Sequence, residues 1–139
     1  MVRLLGLANV VTFTGRVDCG PYYEVLDVVV LTSLSEGQPL SVLEALACGI
    51  PVVATDVGAC RELLTGRLPE DRELGPAGLV TLPADPEGTA GAILRLLEDP
   101  GLRRAMGRAG RWRAEKYYCQ QRVREYYLQL YRSFDHGRR

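Results

Sequence analysis

Apolar residues fall in short unbroken blocks along this chain, separated by polar turns, rather than alternating residue by residue. Val28–Thr32 and Pro51–Thr55 are continuous apolar runs, the pattern of strands buried on both faces of a parallel sheet. Val10–Thr14 and Gly78–Leu82 are β-rich and predict two further strands. Between these blocks the pattern turns helical. Tyr22–Leu26 predicts a helical turn or two, Leu40–Cys48 a helix, and Cys60–Leu64 a short helix ended by Gly66. Arg67–Leu74, charged and broken by a proline, predicts a loop. Strands alternating with helices predict an α/β fold built on a Rossmann-like, doubly wound parallel sheet.

The rest of the chain is helical by its spacing. Asp85 is placed to cap a helix opened by Pro86, with Ile93, Leu94, Leu96 and Leu97 on its inner side. Pro100 opens another, with Leu102, Ala105, Met106, Ala109 and Trp112 at helical intervals. A last helix runs from about Cys119 to Phe134, where Val123, Tyr127, Leu130 and Phe134 form one stripe. Ordinary packing of that stripe on the chain's own sheet is the plainer expectation.

One segment concentrates the candidate chemistry. Leu31 to Thr55 reads as buried strand, polar loop, helix, glycine stop and second buried strand. A loop feeding a helix N-terminus at the carboxyl end of a parallel strand is where α/β sheets hold phosphates. Pro39 suits the first helical position, and Gly49 with Pro51 suits the stop. At 1.5 Å rise per residue, the eight steps from Glu36 to Glu44 cover on the order of 12 Å. That is about the reach of a nucleotide-diphosphate sugar from hexose to ribose. The free N–H groups near Leu40 and Ser41 lie between, on the positive end of the helix dipole.

Singly, each glutamate has an ordinary explanation: Glu36 as an acid at a helix start, Glu44 as a solvated helix position. Glu44, however, is flanked by Leu43, Ala45 and Leu46. A carboxylate in an apolar stretch needs a partner, and a ribose diol would serve. Arg61 and Glu62 follow a second strand-end loop at Gly58, where either donor contact or a helix-start ion pair fits; Asp56 reads as a cap.

Two glutamates with seven residues between them, in this strand-loop-helix setting, resemble the signature of family 4 retaining glycosyltransferases of GT-B architecture. Phe13-Thr-Gly-Arg-Val-Asp18, Tyr22-Tyr23, Leu26-Asp27-Val28, Gly37-Gln-Pro-Leu40, Thr55-Asp-Val-Gly-Ala-Cys-Arg-Glu-Leu-Leu64 and Leu74-Gly-Pro-Ala-Gly78 are most similar to the Pel-type exopolysaccharide glycosyltransferases. The resemblance covers about Leu4 to Phe134. It implies that Glu36 binds hydroxyls of the transferred sugar and is the catalytic candidate. It implies that the Gly37, Gln38, Pro39, Leu40 and Ser41 segment holds sugar and diphosphate, that Glu44 takes the ribose hydroxyls, and that Arg16 and Val17 lie beside the base. It implies a UDP-sugar donor, transfer of a hexose to a polysaccharide or glycoconjugate, no metal and no other cofactor.

Length and charge refine these expectations. The 139 residues make one domain with a single core, whereas the resemblance implies a longer enzyme of two such domains. Arg3-Leu-Leu-Gly-Leu7 looks like the last turn of a helix. The reading is therefore a C-terminal nucleotide-sugar-binding domain over residues 1–139, lacking its first strand-helix and the N-terminal acceptor domain, and inactive alone. The Arg and Lys with which the family clamps the diphosphate have no counterpart here.

The four cysteines, Cys19, Cys48, Cys60 and Cys119, form no Cys-x-x-Cys pair. They predict small buried or half-buried thiols in a reducing compartment, and no zinc site. His136, the single histidine, lies in a polar tail, which excludes a histidine-dependent triad. No signal-peptide pattern and no apolar run near ~18 residues is present, so the expected location is cytoplasmic. Residues 1–100 carry 6 basic and 14 acidic side chains, net −8, and residues 101–139 carry 11 and 3, net +8. Such basic helices either face an anionic membrane surface, peripheral at the inner leaflet, or are solvated faces beside an acidic neighbour. No exposed aromatics interleave the charges, so nucleic acid is not an expected partner. An uncovered sheet edge makes self-association an expectation. Two other functions fit the residues less well: a nucleotide-sugar 2-epimerase-like enzyme, and a non-catalytic nucleotide-binding or interaction module.

Overall fold

Three short parallel strands carry the molecule. The computed structural model describes residues 1–135. Strand β1 (Val29–Leu31), β2 (Val52–Thr55) and β3 (Gly78–Thr81) lie side by side in the order β1-β2-β3. Val30 pairs with Val53, and Ala54 with Val80. Helix α1 (Leu40–Ala47) crosses from β1 to β2; α2 (Cys60–Thr65) and the single turn α3 (Pro69–Arg72) cross from β2 to β3. Helices α4 (Pro86–Glu98), α5 (Pro100–Tyr117) and α6 (Gln120–Asp135) follow.

Successive side chains of β2 point to opposite faces, and the core divides accordingly. Val52 and Ala54 pack with Val42, Ala45, Leu46, Leu63 and Leu64 of α1 and α2. Val53 packs on the other face with Leu96 of α4 and Met106 of α5. Each fully buried Leu or Val contributes on the order of 1.5–3 kcal/mol. Helices thus cover both faces of a parallel sheet, as expected of a Rossmann-like, doubly wound arrangement.

Helix starts follow local chemistry. The Asp85 carboxylate accepts the Gly88 N–H at 2.8 Å, and Asp99 accepts that of Leu102 at 2.8 Å. Arg103 closes the other end of α4, donating to the Leu96 and Leu97 carbonyls at 3.0 Å and pairing with Asp27 at 3.3 Å. Part of the basic excess therefore satisfies helix carbonyls and acidic neighbours within the fold.

Several expectations need correction. Val10–Thr14 is not a strand, and Phe13 is exposed. The segment is irregular and exposed, and it pairs with none of the described strands. Val30 is not buried on both faces, because α4 lies over β2 and β3 and leaves that side of β1 open. The Arg67–Leu74 segment is not only a loop, since it contains α3 and a buried Asp71. On α4, Leu96 is buried but Leu94 and Leu97 are exposed. On α5, Ala105 and Trp112 face outward, and the packed face is Met106, Gly107, Ala109, Gly110, Arg113 and Ala114. Glycines bring α5 close to α1, since a Cβ on Gly107 would strike the Gly49 carbonyl and one on Gly110 the Leu46 side chain. The α6 stripe does not pack on the sheet: Val123, Tyr127, Leu130 and Phe134 are all exposed. Met1 to Leu7 does form a helical turn, with Leu5 N–H donating to the Met1 carbonyl at 3.1 Å.

Candidate functional site

The loop leaving β1 and the loop leaving β2 meet at the carboxyl end of the sheet. The Thr55 hydroxyl donates to the Ser33 carbonyl at 2.6 Å, and the Ala59 N–H donates to the Gly37 carbonyl at 2.8 Å. Between them Gly58 has φ +52° and presses on the first loop; a Cβ there would overlap the carbonyl oxygens of Glu36 and Gly37. Glu36, half-buried, is held by the Ser33 hydroxyl, which donates to Oε1 at 2.6 Å. No described hydrogen bond engages its second oxygen. Gly37 and Gln38 are exposed and nothing stands over Gly37.

The loop then delivers α1. Pro39 is buried and adopts φ −71°, ψ 119°. That extended ψ makes it the residue before the helix rather than the first helical residue expected, a place Leu40 takes. No side chain caps α1 and no acid lies in its first turn. Its first N–H groups, at Leu40, Ser41 and Val42, are therefore the unpaired donors every helix start has, unsatisfied by any described side chain. Leu40 and Ser41 are exposed. At the other end Gly49 has φ +76° and terminates the helix as expected.

Glu44 departs from its expected surroundings. It is exposed, because α1 buries Val42, Ala45 and Leu46 and turns Glu44 away from that stripe. Its partner is Tyr23, whose hydroxyl donates to Oε2 at 2.9 Å. Tyr23 belongs to a 3-10 turn, Gly20–Glu24, opened by Asp18, which accepts the Gly20 N–H at 3.0 Å. The Tyr23 ring packs partly buried against the α1/α2 core. Burial, and then the bond to Glu44, pushes its phenol up to about 12. Sequence reasoning counted Tyr22-Tyr23 among the words of the resemblance but missed the contact of Tyr23 with Glu44.

Arg16 and Val17 lie exposed on irregular chain after Gly15, which has φ +67°. Two residues on, Asp18 opens the turn carrying Tyr23, so they share a segment with the Glu44 contact. No described hydrogen bond joins them to the β1–α1 loop. Arg61 is engaged by Asp56, with Nε 3.0 Å from both carboxylate oxygens, and this contact holds Asp56 below the usual carboxylate range. The helix-start ion pair is thus what forms. Asp56 does not cap α2, whose N-cap is Ala59. Glu62 pairs with Arg67 at 4.0 Å.

Cys60 is buried and Cys119 half-buried, but Cys19 and Cys48 are exposed, contrary to expectation. Among the described residues no three His, Cys, Asp or Glu side chains are grouped to hold a metal, and no helix is long and apolar enough to cross a membrane. His136 lies outside the described residues. A cavity of about 420 Å³ opens on the α4 side of the same sheet end, lined by Thr32, Leu34, Thr55, Thr89 and Ile93 among others; none of the expected donor residues lines it.

Two phenols predict a loss of stability in alkali. Tyr118, pushed up to about 12 by burial and then by Glu62 and Asp71, behaves like Tyr23. Both are raised from 10.0, so their contribution is complete below pH 10 and is lost as pH rises through 12. The thermal midpoint should fall over that window, and Tyr23→Phe with Tyr118→Phe should flatten the fall. An undiminished fall in the double variant would assign the alkaline loss elsewhere.

A profile of the family described as "Glycosyl transferases group 1" matches residues 1–99. The chain belongs to that family. This group 1 chain is 36% identical over 123 residues to a D-inositol 3-phosphate glycosyltransferase of Kineococcus radiotolerans, covering 84% of this chain and 28% of that protein. It is 37% identical over 99 residues to the lipopolysaccharide core biosynthesis mannosyltransferase LpsB of Rhizobium meliloti, covering 70% and 26%. Among solved structures, sucrose-phosphate synthase from Thermosynechococcus elongatus superposes with a TM-score of 0.85 at 33% identity, over 98% of this chain and 33% of that one. Anabaena HepE, solved in complex with UDP, superposes with a TM-score of 0.84 at 26% identity, over 95% and 35%. The Rossmann-like parallel sheet is shared with these GT-B glycosyltransferases. The chain spans about a third or less of the length of each of these relatives.

Proposed function

We propose that this chain is the donor-binding portion, a single domain, of a retaining glycosyltransferase that takes a UDP-sugar and transfers a hexose to a polysaccharide or glycoconjugate acceptor. The observation that carries the reading is the uncapped start of α1, presented by a pinned loop and flanked by Glu36 and Glu44. Bare amides at the positive end of a helix favour a diphosphate. Glu36 then accepts from hydroxyls of the transferred sugar, the Gly37–Ser41 segment lies under sugar and diphosphate, and Glu44 accepts from the ribose. Arg16 and Val17 flank the base. A UDP donor and a Pel-like glycan acceptor rest on the resemblance of the motif words, and the donor is supported by the HepE complex with UDP.

The reaction breaks the bond from the sugar's anomeric carbon to the diphosphate oxygen. A bond from that carbon to the acceptor oxygen forms on the same face, and the acceptor proton passes to the departing phosphate. The chain supplies positioning and charge stabilisation, with helix amides rather than a metal or another cofactor meeting the developing negative charge. The acceptor comes from the rest of the enzyme.

The test is binding. UDP should bind this chain measurably by calorimetry, and Glu44→Ala should weaken it about tenfold or more, the loss of one good hydrogen-bonding carboxylate. In an intact enzyme, Glu36→Ala should lower turnover by about a hundredfold. Equal UDP affinity in the first variant, or full turnover in the second, overturns the corresponding role.

A further inference from the structure

We infer that Tyr23 is a positioning residue: its phenol aims the Glu44 carboxylate so that the remaining acceptor sites meet both hydroxyls of a nucleotide ribose. The inference rests on the donor-site reading above and adds to it a residue and a discrimination. Glu44 is exposed, and a free glutamate at such a place turns through many rotamers. A diol needs one of them. Tyr23 supplies the selection from the Gly20–Glu24 turn: its hydroxyl donates to Oε2 at 2.9 Å, and it is the one described hydrogen bond to that carboxylate. The donor is itself fixed. Its ring packs against the core, and its turn is opened by Asp18 and held by the Cys19 carbonyl, which accepts the Tyr22 and Tyr23 N–H groups at 3.0 and 3.3 Å.

The carboxylate stoichiometry fits the assignment. An ionised carboxylate has about four acceptor positions and no donor. Tyr23 occupies one on Oε2, which leaves Oε1 and the second position of Oε2 for two hydroxyl donors. The phenol is a donor to Glu44 and competes for neither. A phenol is protonated across the physiological range, so the contact persists there. The turn that carries Tyr23 begins at Gly20, four residues after Arg16, so the base-side and ribose-side elements lie on one continuous segment.

The experiment measures the affinity of UDP and of 2′,3′-dideoxyuridine diphosphate for the unaltered chain, Tyr23→Phe, Glu44→Gln and the double variant, with the thermal midpoint of each. The unaltered chain should prefer the ribose nucleotide. Tyr23→Phe should weaken UDP about fivefold while leaving the dideoxy compound within about twofold, and should add nothing in the Glu44→Gln background. If Tyr23→Phe weakens both nucleotides alike, or keeps the full preference, the positioning role is wrong and the Glu44 assignment stands. If the unaltered chain shows no preference for the ribose nucleotide, the Glu44 assignment falls and takes the role of Tyr23 with it. Should Tyr23→Phe melt early, both affinities are read well below its midpoint, where a fully retained preference for the ribose nucleotide overturns the inference and a lost one supports it.

Discussion

Arg113→Met should lower the free energy of unfolding by about 3–5 kcal/mol, the cost of removing one partner from a buried ion pair. The guanidinium is fully buried. Its Nε donates to Asp71 Oδ1 at 2.5 Å, Nη1 to the Leu64 carbonyl at 3.0 Å, and Nη2 to the carbonyls of Asp71 and Gly75 at 3.1 and 2.9 Å. Asp71 spends its second oxygen on the Arg67 N–H at 3.0 Å. One side chain of α5 therefore ties down the end of α2, the α3 turn and the approach to β3. Methionine fills the stem's volume but leaves the buried Asp71 carboxylate without its counter-charge and the Gly75 carbonyl without its guanidinium donor, while the Leu64 and Asp71 carbonyls keep the Ala77 and Leu74 N–H groups. Lysine should rescue little, because one ammonium cannot reproduce the planar fork. The check is denaturant unfolding of the chain with and without the substitution. A change below about 1 kcal/mol would show that the α2–β3 connection holds without the guanidinium. Trp112→Ala, one position earlier but half exposed, should cost clearly less.

That ion pair also marks where the sequence stopped being informative. Asp71 sits in a charged, proline-containing stretch that reads as a surface loop, and its partner lies 42 residues away on a helix with many arginines. Nothing local distinguishes the arginine that is buried. The same blindness affected α5. Large apolar residues at helical spacing drew the inner face through Trp112, whereas glycines at 107 and 110 let α1 approach and set the true face. By contrast, the strand-loop-helix from β1 to β2 was legible almost residue by residue. Its apolar runs and the glycine stop at Gly49 are local patterns with local causes, whereas the exposure of Val30 and of Glu44 depends on what packs against them. The candidate site was legible where it is made of backbone and not where it is made of contacts. Glu36 lies in the loop after β1, as its place between the two apolar runs indicates, and the helix starts one residue later than read, at Leu40 rather than Pro39; the Tyr23 partner of Glu44 and the pressure of Gly58 on the loop depend on chain folding back. The β-rich Val10–Thr14 stretch and the α6 stripe show the remaining limit: both carry the right pattern for packing, and the described fold offers neither a surface to pack on.

Gly58→Ala should abolish donor binding and also destabilise the fold, and the contrast with Gly37→Ala shows why. Gly58 has φ +52°, a conformation costing a residue with a Cβ about 1–2 kcal/mol. The added methyl would overlap the Glu36 and Gly37 carbonyl oxygens, which are backbone and cannot rotate away. Overpacking of this kind adds about 1–3 kcal/mol. The only relief is for the β1–α1 loop to move off the β2 loop, which breaks the 2.8 Å bond from Ala59 N–H to the Gly37 carbonyl and swings Glu36 with it. A displacement near 1 Å at a positioned group costs about a hundredfold in function. Gly37 is the complementary case: nothing lies within 4 Å of an added Cβ, and its φ is not positive. Gly37→Ala should therefore leave the melting temperature nearly unchanged and weaken UDP-sugar binding only, because the methyl projects into the space assigned to the ligand. Thermal melting and calorimetry on both variants separate the effects. If Gly58→Ala binds the donor as the unaltered chain does, the loop pinned by Gly58 is not the donor cradle, whatever the stability shows.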